Sequence, residues 1–272
     1  MTNPSDGPSD GQYPVFHSVD DLPTPPALAI GPGTALFLDF DGTLVDIADH
    51  PDAVVVPDDL PDLLSGLSRA LKGRLAVVTG RSIAALEGLV GTLDVAVAGS
   101  HGGEFRPSAD AGVQPLAEPL PGEVVATLER CARDNGGLLV EPKPFSVAVH
   151  YRHHPEALEP LLACAEELGA RFGLSLKHGK QVIELAMPGS DKGSAVTQFM
   201  GLPAFRGAVP LFLGDDVTDE DAFRAARALG GHGVLVGPMR ATAATYRLPD
   251  VAHVRGWLKA GFDTAIKGDI HA

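Results

Sequence analysis

Two aspartates, Asp39 and Asp41, stand two residues apart in the sequence Asp-Phe-Asp-Gly-Thr, directly after an apolar run that begins at Thr34. In a strand, residues two positions apart point to the same side, so the two carboxylates are predicted to converge. Like charges at such a distance repel unless a cation or a proton is shared. A hard divalent cation satisfies them, and the pair can then supply a nucleophile and a proton donor.

A second group of acids follows another apolar run, Val209 to Leu213, and reads Gly-Asp-Asp-Val-Thr-Asp-Glu-Asp over residues 214–221. Its last three acids suit the first turn of a helix, where the helix dipole favours negative charge. That explanation does not cover Asp215 and Asp216, which lie at the strand end itself. Together with the first pair they bring four carboxylates to one place, which predicts a metal site that screens an incoming phosphate.

The first motif has two plainer explanations. A calcium-binding loop needs acidic ligands further along, but its fifth and twelfth positions are Thr43 and His50, and an apolar strand precedes it where that loop needs a helix. Aspartate and glycine are also common turn residues at strand ends, and this second explanation stays open for the motif taken alone.

A phosphate site is indicated where the next predicted strand, residues 74–79, meets a helix. Thr79 offers a hydroxyl, and the N-terminus of a helix offers free N–H groups to a phosphate oxygen. Ser82 fits an ordinary helix N-cap equally well. Lys192, at the start of a later helix, is placed to neutralise a phosphate, although a lone lysine is often only a surface residue.

Composition limits the classes of partner. The 35 acidic and 21 basic residues give a formal net charge of −14, which argues against nucleic acid and anionic membranes. The two cysteines, Cys131 and Cys164, are too few for a disulfide framework and fit free thiols in a reducing cytoplasm. No secretory signal or membrane span is recognisable, and we expect a cytoplasmic monomer that acts on a small molecule.

Alternating strand and helix patterns predict an α/β fold with a doubly wound parallel-sheet core, interrupted by an inserted α+β cap domain. Residues 1–32, rich in Pro, Gly, Ser and Asp, are predicted to be a disordered leader. The core is predicted at residues 33–105 and 188–272, and the cap at 106–187, with strands at 113–116, 138–141, 146–151 and 182–185 and helices at 122–135 and 155–172.

These motifs, in this chain order, resemble those of the haloacid dehalogenase superfamily of phosphatases. The resemblance implies that Asp39 is phosphorylated and that Asp41 protonates the leaving alcohol and then activates water. It implies that Thr79 and Lys192 hold the phosphoryl oxygens. It also implies Mg²⁺ as the cofactor, with a metal site made of Asp39, Asp41 (through its backbone carbonyl), Asp215 and Asp216, with Asp219 in support.

The resemblance extends to the trehalose-6-phosphate phosphatase family. It rests on the run Gly214 to Phe223, on Gly-Ser-His-Gly-Gly-Glu at residues 99–104, and on Glu-Pro-Lys at 141–143 and Gly-Lys-Gln-Val-Ile-Glu at 179–184. It implies that Glu141, Lys143 and Glu184 bind sugar hydroxyls, although each also fits a solvated strand charge. The full predicted substrate-binding set is Gly80, Arg81, His101, Glu104, Glu141, Lys143 and Glu184.

The function that this resemblance implies is hydrolysis of trehalose 6-phosphate to trehalose and phosphate through an aspartyl-phosphate intermediate, with the cap closing on linkers near 104–112 and 186–191. Sucrose phosphate or a glycosyl phosphoglycerate is the alternative substrate. A receiver-type signalling domain also combines an acidic pair, a phosphorylated aspartate, a hydroxyl and a lysine. In receivers the acidic pair comes early in the chain and the phosphorylated aspartate later. Here the order is reversed, because the nucleophile follows the first strand and the acidic pair follows a late one.

Overall fold

The computed structural model describes residues 22–48, 53–116, 118–179 and 181–269. The strands in these ranges are β1 Thr34–Leu38, β2 Leu75–Val78, β3 Ala96–Gly99, β4 Glu104–Arg106, β5 Gln114–Pro115, β6 Leu139–Pro142, β7 Ser146–His150, β8 Ser175–Gly179, β9 Val182–Ala186, β10 Val209–Gly214, β11 His232–Val236 and β12 Tyr246–Leu248. The α-helices are α1 Leu60–Ala70, α2 Ile83–Val90, α3 Gly122–Asp134, α4 Leu158–Phe172, α5 Lys192–Gly201, α6 Glu220–Ala228 and α7 Val251–Asp269.

The large sheet has the strand order β12-β11-β10-β1-β2-β3-β4-β5 and is parallel from β12 to β3. Strand β1 is apolar on both faces because both are covered. Leu36 and Leu38 face the core beside α1 and α7, while Ala35 and Phe37 face the core beside α5 and α6. Helices on both faces confirm the predicted doubly wound α/β class.

Strand β1 lies between β10 and β2, so the chain continues to one side after β1 and returns on the other. At such a reversal the loops diverge and leave a crevice at the carboxyl ends of the strands. Asp39 follows β1, Thr79 follows β2 and Asp215 follows β10. The topology therefore brings these three residues to one crevice.

The small sheet, β6-β7-β9-β8, is antiparallel and is formed by residues between β5 and α5. One face packs on α3 and α4 through an apolar cluster that includes Val147, Val149 and Leu185. On the other face, Glu141, Ala148, Glu184 and Lys177 are register partners across the four strands. Alternation along antiparallel strands thus separates an apolar face from a charged one.

The predicted grouping of residues 113–116 with the insertion is wrong. Strand β5 pairs antiparallel with β4, which pairs antiparallel with β3, so both strands extend the edge of the large sheet. The stretch between β4 and β5 is short enough for a hairpin, and hairpin neighbours pair locally. Strand β4 itself was not predicted.

The predicted leader divides into two parts. Residues 1–21 lie outside the described residues. Residues 22–32 pack on the body, so the prediction of disorder is wrong for them: Leu28 is buried, and the Trp257 indole Nε1–H donates to the Pro26 carbonyl at 2.9 Å. The surface that receives them belongs to α7, a helix that was not predicted. In the described ranges, no helix is long and apolar enough to cross a membrane.

Candidate active site

Asp39 lies at the bottom of the crevice, where its backbone N–H continues the β1–β10 ladder to the Leu213 carbonyl. Its side chain is almost fully buried, and its Oδ1 is 2.8 Å from Lys192 Nζ. Lys192 begins α5 and also contacts Asp219 Oδ1 at 2.6 Å. The burial of three charged groups is tolerable only because they are paired, and the pairing fixes their positions.

One oxygen each from Asp39, Asp215 and Asp219 lies within 4.8 Å of the others, a spacing that fits one cation. Among the described residues, Asp215 Oδ1 is buried without a hydrogen-bond partner. Burial raises the pKa of Asp39 well above its ordinary value despite the opposing Lys192. Burial and then Asp219 raise the pKa of Asp215 to about 7. This site is short of positive charge, and its all-oxygen donors fit Mg²⁺.

A backbone glycine completes this cluster. Gly42 has φ of 76°, and a Cβ on it would lie 2.2 Å from Asp215 Oδ2. Only a residue without a side chain lets the β1 loop approach the Asp215 carboxylate this closely. This close approach explains why the Asp-Phe-Asp-Gly motif has glycine at its fourth position.

Asp216 does not join the cluster. It is exposed and caps the 3₁₀ turn Val217–Asp219, in a capping box in which its own N–H donates to Asp219 Oδ2 at 2.8 Å. Asp219 is the acid that this turn directs inward, and it is fully buried. The predicted metal set therefore differs from the acids that the structure brings together, which are Asp39, Asp215 and Asp219.

The side chain of Asp41 is also outside the cluster. Arg81 Nε donates to its Oδ2 and Arg81 Nη2 to its Oδ1, both at 2.7 Å. The two residues are brought together by the loops that follow β1 and β2. Such a two-point fork orients the carboxylate at the mouth of the crevice and separates it from Asp39's buried group.

Thr79 and Ser82 take different roles at the end of β2. Thr79 is fully buried and its Oγ1 accepts from the Arg81 N–H at 3.2 Å. Ser82 Oγ accepts from the Ala85 N–H at 3.1 Å and is thus an ordinary N-cap of α2. Gly80 gives space to the His101 ring, since a Cβ there would lie 2.7 Å from its Cε1.

His101 and Glu104 have different surroundings, with His101 in the turn after β3 and Glu104 at the start of β4. His101 has φ of 57°, a left-handed conformation, and burial lowers the pKa of its imidazole to about 4 although Glu184 opposes the shift. Glu104 Oε2 accepts from the Ile83 N–H at 2.6 Å and therefore holds the start of α2. His101 is thus close enough to the small sheet to interact with Glu184, whereas Glu104 is engaged with the backbone of α2.

The predicted sugar-binding residues lie on the charged face of the small sheet. Lys143 Nζ is 3.7 Å from Glu184 Oε1 and 3.8 Å from Glu141 Oε1. Ser146 Oγ donates to Glu184 Oε1 at 2.7 Å. Burial raises the pKa of Glu184, but His101, Lys143 and the Ser146 hydroxyl together lower it by more than burial raises it. The net shift of the pKa is therefore downward. Glu184 thus stays ionised where the core and the small sheet meet.

Several residues of this region were not found from the sequence. Lys177 Nζ donates from β8 to Asp221 Oδ2 on α6 at 3.2 Å and links the small sheet to the core. Ser146 contacts Glu184, and Arg240 contacts the acidic loop. The alternation of strands carried a signal for Lys177 and Ser146, because each lies on the charged face with Glu184. No local pattern marked Arg240.

The site combines an aspartate after the first strand, a threonine after the second, a lysine at a helix start and an acidic loop after β10. On a doubly wound sheet with an insertion, this combination defines a haloacid dehalogenase-type phosphatase. A haloacid dehalogenase-like hydrolase from Bacteroides thetaiotaomicron shares this fold, with a TM-score of 0.59 at 18% identity over 83% of this chain and 98% of that one. The chain belongs to the trehalose-phosphatase family, whose model matches residues 37–252. The family resemblance inferred from the motifs is thereby confirmed.

Individual relatives agree with this assignment. The chain is 40% identical to a probable trehalose-phosphate phosphatase of Sinorhizobium fredii, over 83% of this chain and 86% of the relative. It is 36% identical to the trehalose-6-phosphate phosphatase of Escherichia coli, over 83% and 85%. The C-terminal domain of Candida albicans trehalose-6-phosphate phosphatase superposes with a TM-score of 0.70 at 25% identity, covering 85% of this chain and 93% of that structure.

Proposed function

We propose that this protein hydrolyses trehalose 6-phosphate to trehalose and phosphate, with Asp39 as the nucleophile. The observation that carries the proposal is the buried Asp39–Lys192 contact of 2.8 Å at the carboxyl end of β1. Family membership supports the substrate class. The ion pair holds a nucleophile and a phosphate-binding cation together in one crevice.

The reaction takes two steps. A carboxylate oxygen of Asp39 attacks phosphorus, the bond from phosphorus to the sugar oxygen breaks, and Asp41 gives its proton to the leaving alkoxide. Water then attacks the aspartyl phosphate while Asp41 takes its proton, and the release of phosphate restores Asp39. Thr79 and Lys192 hold phosphoryl oxygens in both steps.

To exchange protons, Asp41 needs a carboxylate oxygen that is not occupied by Arg81. Both Asp41 oxygens accept from Arg81 in the structure. We propose that Arg81 transfers one of its donors to the phosphoryl group when substrate arrives, which frees one Asp41 oxygen for the sugar oxygen. Arg81 and the adjacent Gly80 thus belong to the phosphate-binding loop.

Magnesium is proposed as the cofactor, held by Asp39, Asp215 and Asp219 together with the backbone of Asp41. When bound, it supplies the positive charge that admits a phosphate dianion to a site of carboxylates. The separation of the three acidic oxygens and the lack of a partner for Asp215 Oδ1 among the described residues support this ligand set. Asp216 contributes through the turn that orients Asp219.

We propose that the small sheet with α3 and α4 is the cap, beginning after β5 rather than at residue 106, and that the stretch from Met187 to Asp191 is one of its hinges. The charged face of β6, β7 and β9 supplies Glu141, Lys143 and Glu184 for sugar hydroxyls, and His101 meets the sugar from the core side. Closure of this face on the crevice excludes water until the phosphoryl transfer is complete.

A panel of sugar phosphates tests the proposal, run with Mg²⁺ and with a chelator. We expect phosphate release from trehalose 6-phosphate with kcat/KM at least about ten-fold above that for sucrose phosphate or a glycosyl phosphoglycerate, the gain expected of a few hydroxyl contacts. We expect the chelator to abolish it and added Mg²⁺ to restore it. Absence of release at about 1 mM substrate, a typical upper KM, or equal turnover across the panel would contradict the substrate assignment.

We propose that the protein acts in the cytoplasm. Cys131 and Cys164 are free thiols in the structure, which suits the reducing cytoplasm. We also propose a monomer, because one chain supplies the nucleophile, the lysine and the acidic cluster that the proposed reaction needs. Sedimentation of the purified protein tests this directly, and a mass twice that of the chain would contradict it.

A further inference from the structure

Arg240, in the loop between β11 and β12, reaches across to the acidic loop that follows β10. Its Nη2 donates to the Asp216 carbonyl at 2.6 Å and to the Asp215 carbonyl at 3.3 Å, and its Nε donates to the Asp215 carbonyl at 3.4 Å. The guanidinium thus holds two successive peptide carbonyls at the point where the chain leaves the sheet.

Arg240 is itself held from the other side. Its Nη1 is paired with Glu220 Oε1 and donates to the Ala241 carbonyl at 3.1 Å. The other oxygen of Glu220 accepts from the Ala243 N–H at 2.7 Å. Glu220 is buried and directly follows Asp219 at the start of α6. A planar guanidinium with partners on both edges has little freedom to move.

This arrangement bears on the carboxylates of the acidic loop. Asp215 Oδ1 has no hydrogen-bond partner among the described residues, so its side chain is not fixed by a bond of its own at that oxygen. Its position follows the backbone, and Arg240 holds the Asp215 carbonyl. The N–H of this same peptide group, that of Asp216, donates to Asp219 Oδ2. Two of the three clustered acids therefore depend on the backbone that Arg240 fixes.

We propose that Arg240 and Glu220 are positioning residues that set the affinity of the Asp39–Asp215–Asp219 cluster for a divalent cation. This inference rests on the proposed metal site and hence on the proposed function. Charge alone predicts the opposite effect, because a guanidinium near the site repels a cation and its removal would tighten binding. The sign of the effect therefore separates positioning from electrostatics.

Calorimetric titration with Mg²⁺, in the absence of substrate, measures this affinity in wild type, Arg240→Ala, Arg240→Lys and Glu220→Gln. We expect Arg240→Ala to raise the Kd for Mg²⁺ by about ten-fold or more, the range for residues that orient metal ligands. Arg240→Lys keeps the positive charge but loses the planar guanidinium that contacts several partners, so it should also raise the Kd for Mg²⁺. Arg227→Ala, at an exposed position near the end of α6, is the matched control and should leave the Kd unchanged.

Kinetics give a second readout. We expect saturating Mg²⁺ to restore the kcat of Arg240→Ala and to leave its KM for trehalose 6-phosphate at the wild-type value, because the substrate contacts are intact. A Kd for Mg²⁺ that is unchanged or tighter in Arg240→Ala would overturn the inference. If that variant does not fold, as judged by circular dichroism, an unchanged Kd in both Arg240→Lys and Glu220→Gln would overturn it.

The two proposals fail in different ways. A wild-type protein that binds Mg²⁺ but releases no phosphate from any sugar phosphate contradicts the proposed function and leaves the Kd comparison intact. A wild-type protein that hydrolyses the substrate while the variants keep its Kd contradicts only the positioning role. A wild-type protein that binds no Mg²⁺ overturns the inference together with the proposed metal site.

Discussion

The crevice of the large sheet and the charged face of the small sheet both carry opposite charges in contact, but they hold them differently. In the crevice, Asp39, Lys192 and Asp219 are buried, and Lys192 lies 2.8 and 2.6 Å from its two partners. On the small sheet, Lys143 lies 3.7 and 3.8 Å from Glu184 and Glu141, and half of the Glu141 side chain is exposed.

This difference separates chemistry from recognition. Buried, closely paired groups are already oriented before substrate arrives, which is what stabilisation of a transition state requires. Charges held at longer distance keep hydrogen-bonding capacity for sugar hydroxyls and can adjust as the cap closes. Substitutions in the crevice should therefore abolish turnover, and those on the small sheet should change substrate preference.

The largest effect is expected for Asp39→Asn. The amide is a poor nucleophile and removes the negative charge that Lys192 balances, so kcat should fall by on the order of 10³-fold or more with every substrate. Phosphate release under saturating substrate measures it. Asp59→Asn is the control, because Asp59 is exposed just before α1 and pairs with Arg255 and Lys259 at the surface. An equal loss there would contradict the assignment.

Glu184→Gln should act on recognition. Loss of a charged acceptor for sugar hydroxyls is expected to lower kcat/KM for trehalose 6-phosphate by about 10–100-fold. Turnover of p-nitrophenyl phosphate, which has no sugar, should change little. Glu167→Gln, exposed on α4, is the matched control. A parallel loss with both substrates would mean that Glu184 serves the chemistry and would erase the distinction between the two regions.

His101 joins the two regions, and its low pKa makes a prediction about pH. In the unfolded chain its pKa is near 6.5, whereas burial lowers the folded value to about 4, so between these values the unfolded state binds the extra proton. Stability therefore falls as pH drops from 7 to 5, by about 2 kcal/mol from this residue. His101→Asn, which tolerates the left-handed backbone, should lose this part of the pH dependence in urea unfolding.

Glu184, which interacts with His101, contributes to the pH dependence of stability in a different pH range. The pKa of Glu184 is lowered, so its contribution to stability is present above its ordinary value and is lost only as pH falls below that value. Asp215, with its pKa raised to about 7, also titrates between pH 7 and 5, but it does so in both proteins. The difference in slope between wild type and His101→Asn in this window thus reports on His101. Identical slopes for wild type and His101→Asn would contradict a buried neutral imidazole.

The smallest effect is expected for Lys177→Met. Lys177 and Asp221 link the small sheet to the core, but each side chain is about one-third exposed, so water and salt screen the pair. The free energy of unfolding should change by less than about 1 kcal/mol, and KM by no more than a few-fold. Urea unfolding and initial rates check this, and a loss as large as that of Glu184→Gln would give Lys177 a role in binding.

Much of the crevice was predictable because strand ends decide it. In a parallel sheet the carboxyl ends of neighbouring strands share one edge, so acids after β1 and β10 and a hydroxyl after β2 had to meet. The choice between Asp216 and Asp219 was not predictable in the same way. Both are acids within one turn, and only the capping geometry of that turn sends Asp219 inward.

Contacts between distant segments were also beyond the sequence. The Asp41–Arg81 fork and the Arg240 contacts join loops that no local pattern relates. Helix α7 was missed because glycines interrupt its pattern. One of these glycines, Gly261, gives space to Leu28, since a Cβ there would lie 2.7 Å from that side chain. Without α7 as a packing surface, residues 22–32 were predicted to be disordered.

The most direct test of the central claim uses Asp41→Asn, which retains Asp39 as the nucleophile. The variant slows the first step because it lacks the acid, and it leaves the aspartyl phosphate without the base that activates water, so the intermediate should accumulate. After incubation with Mg²⁺ and trehalose 6-phosphate, peptide mass spectrometry should find one added phosphoryl group on Asp39, removable by hydroxylamine, together with turnover far below wild type. Wild-type turnover, or a phosphoryl group on any residue other than Asp39, would contradict the account.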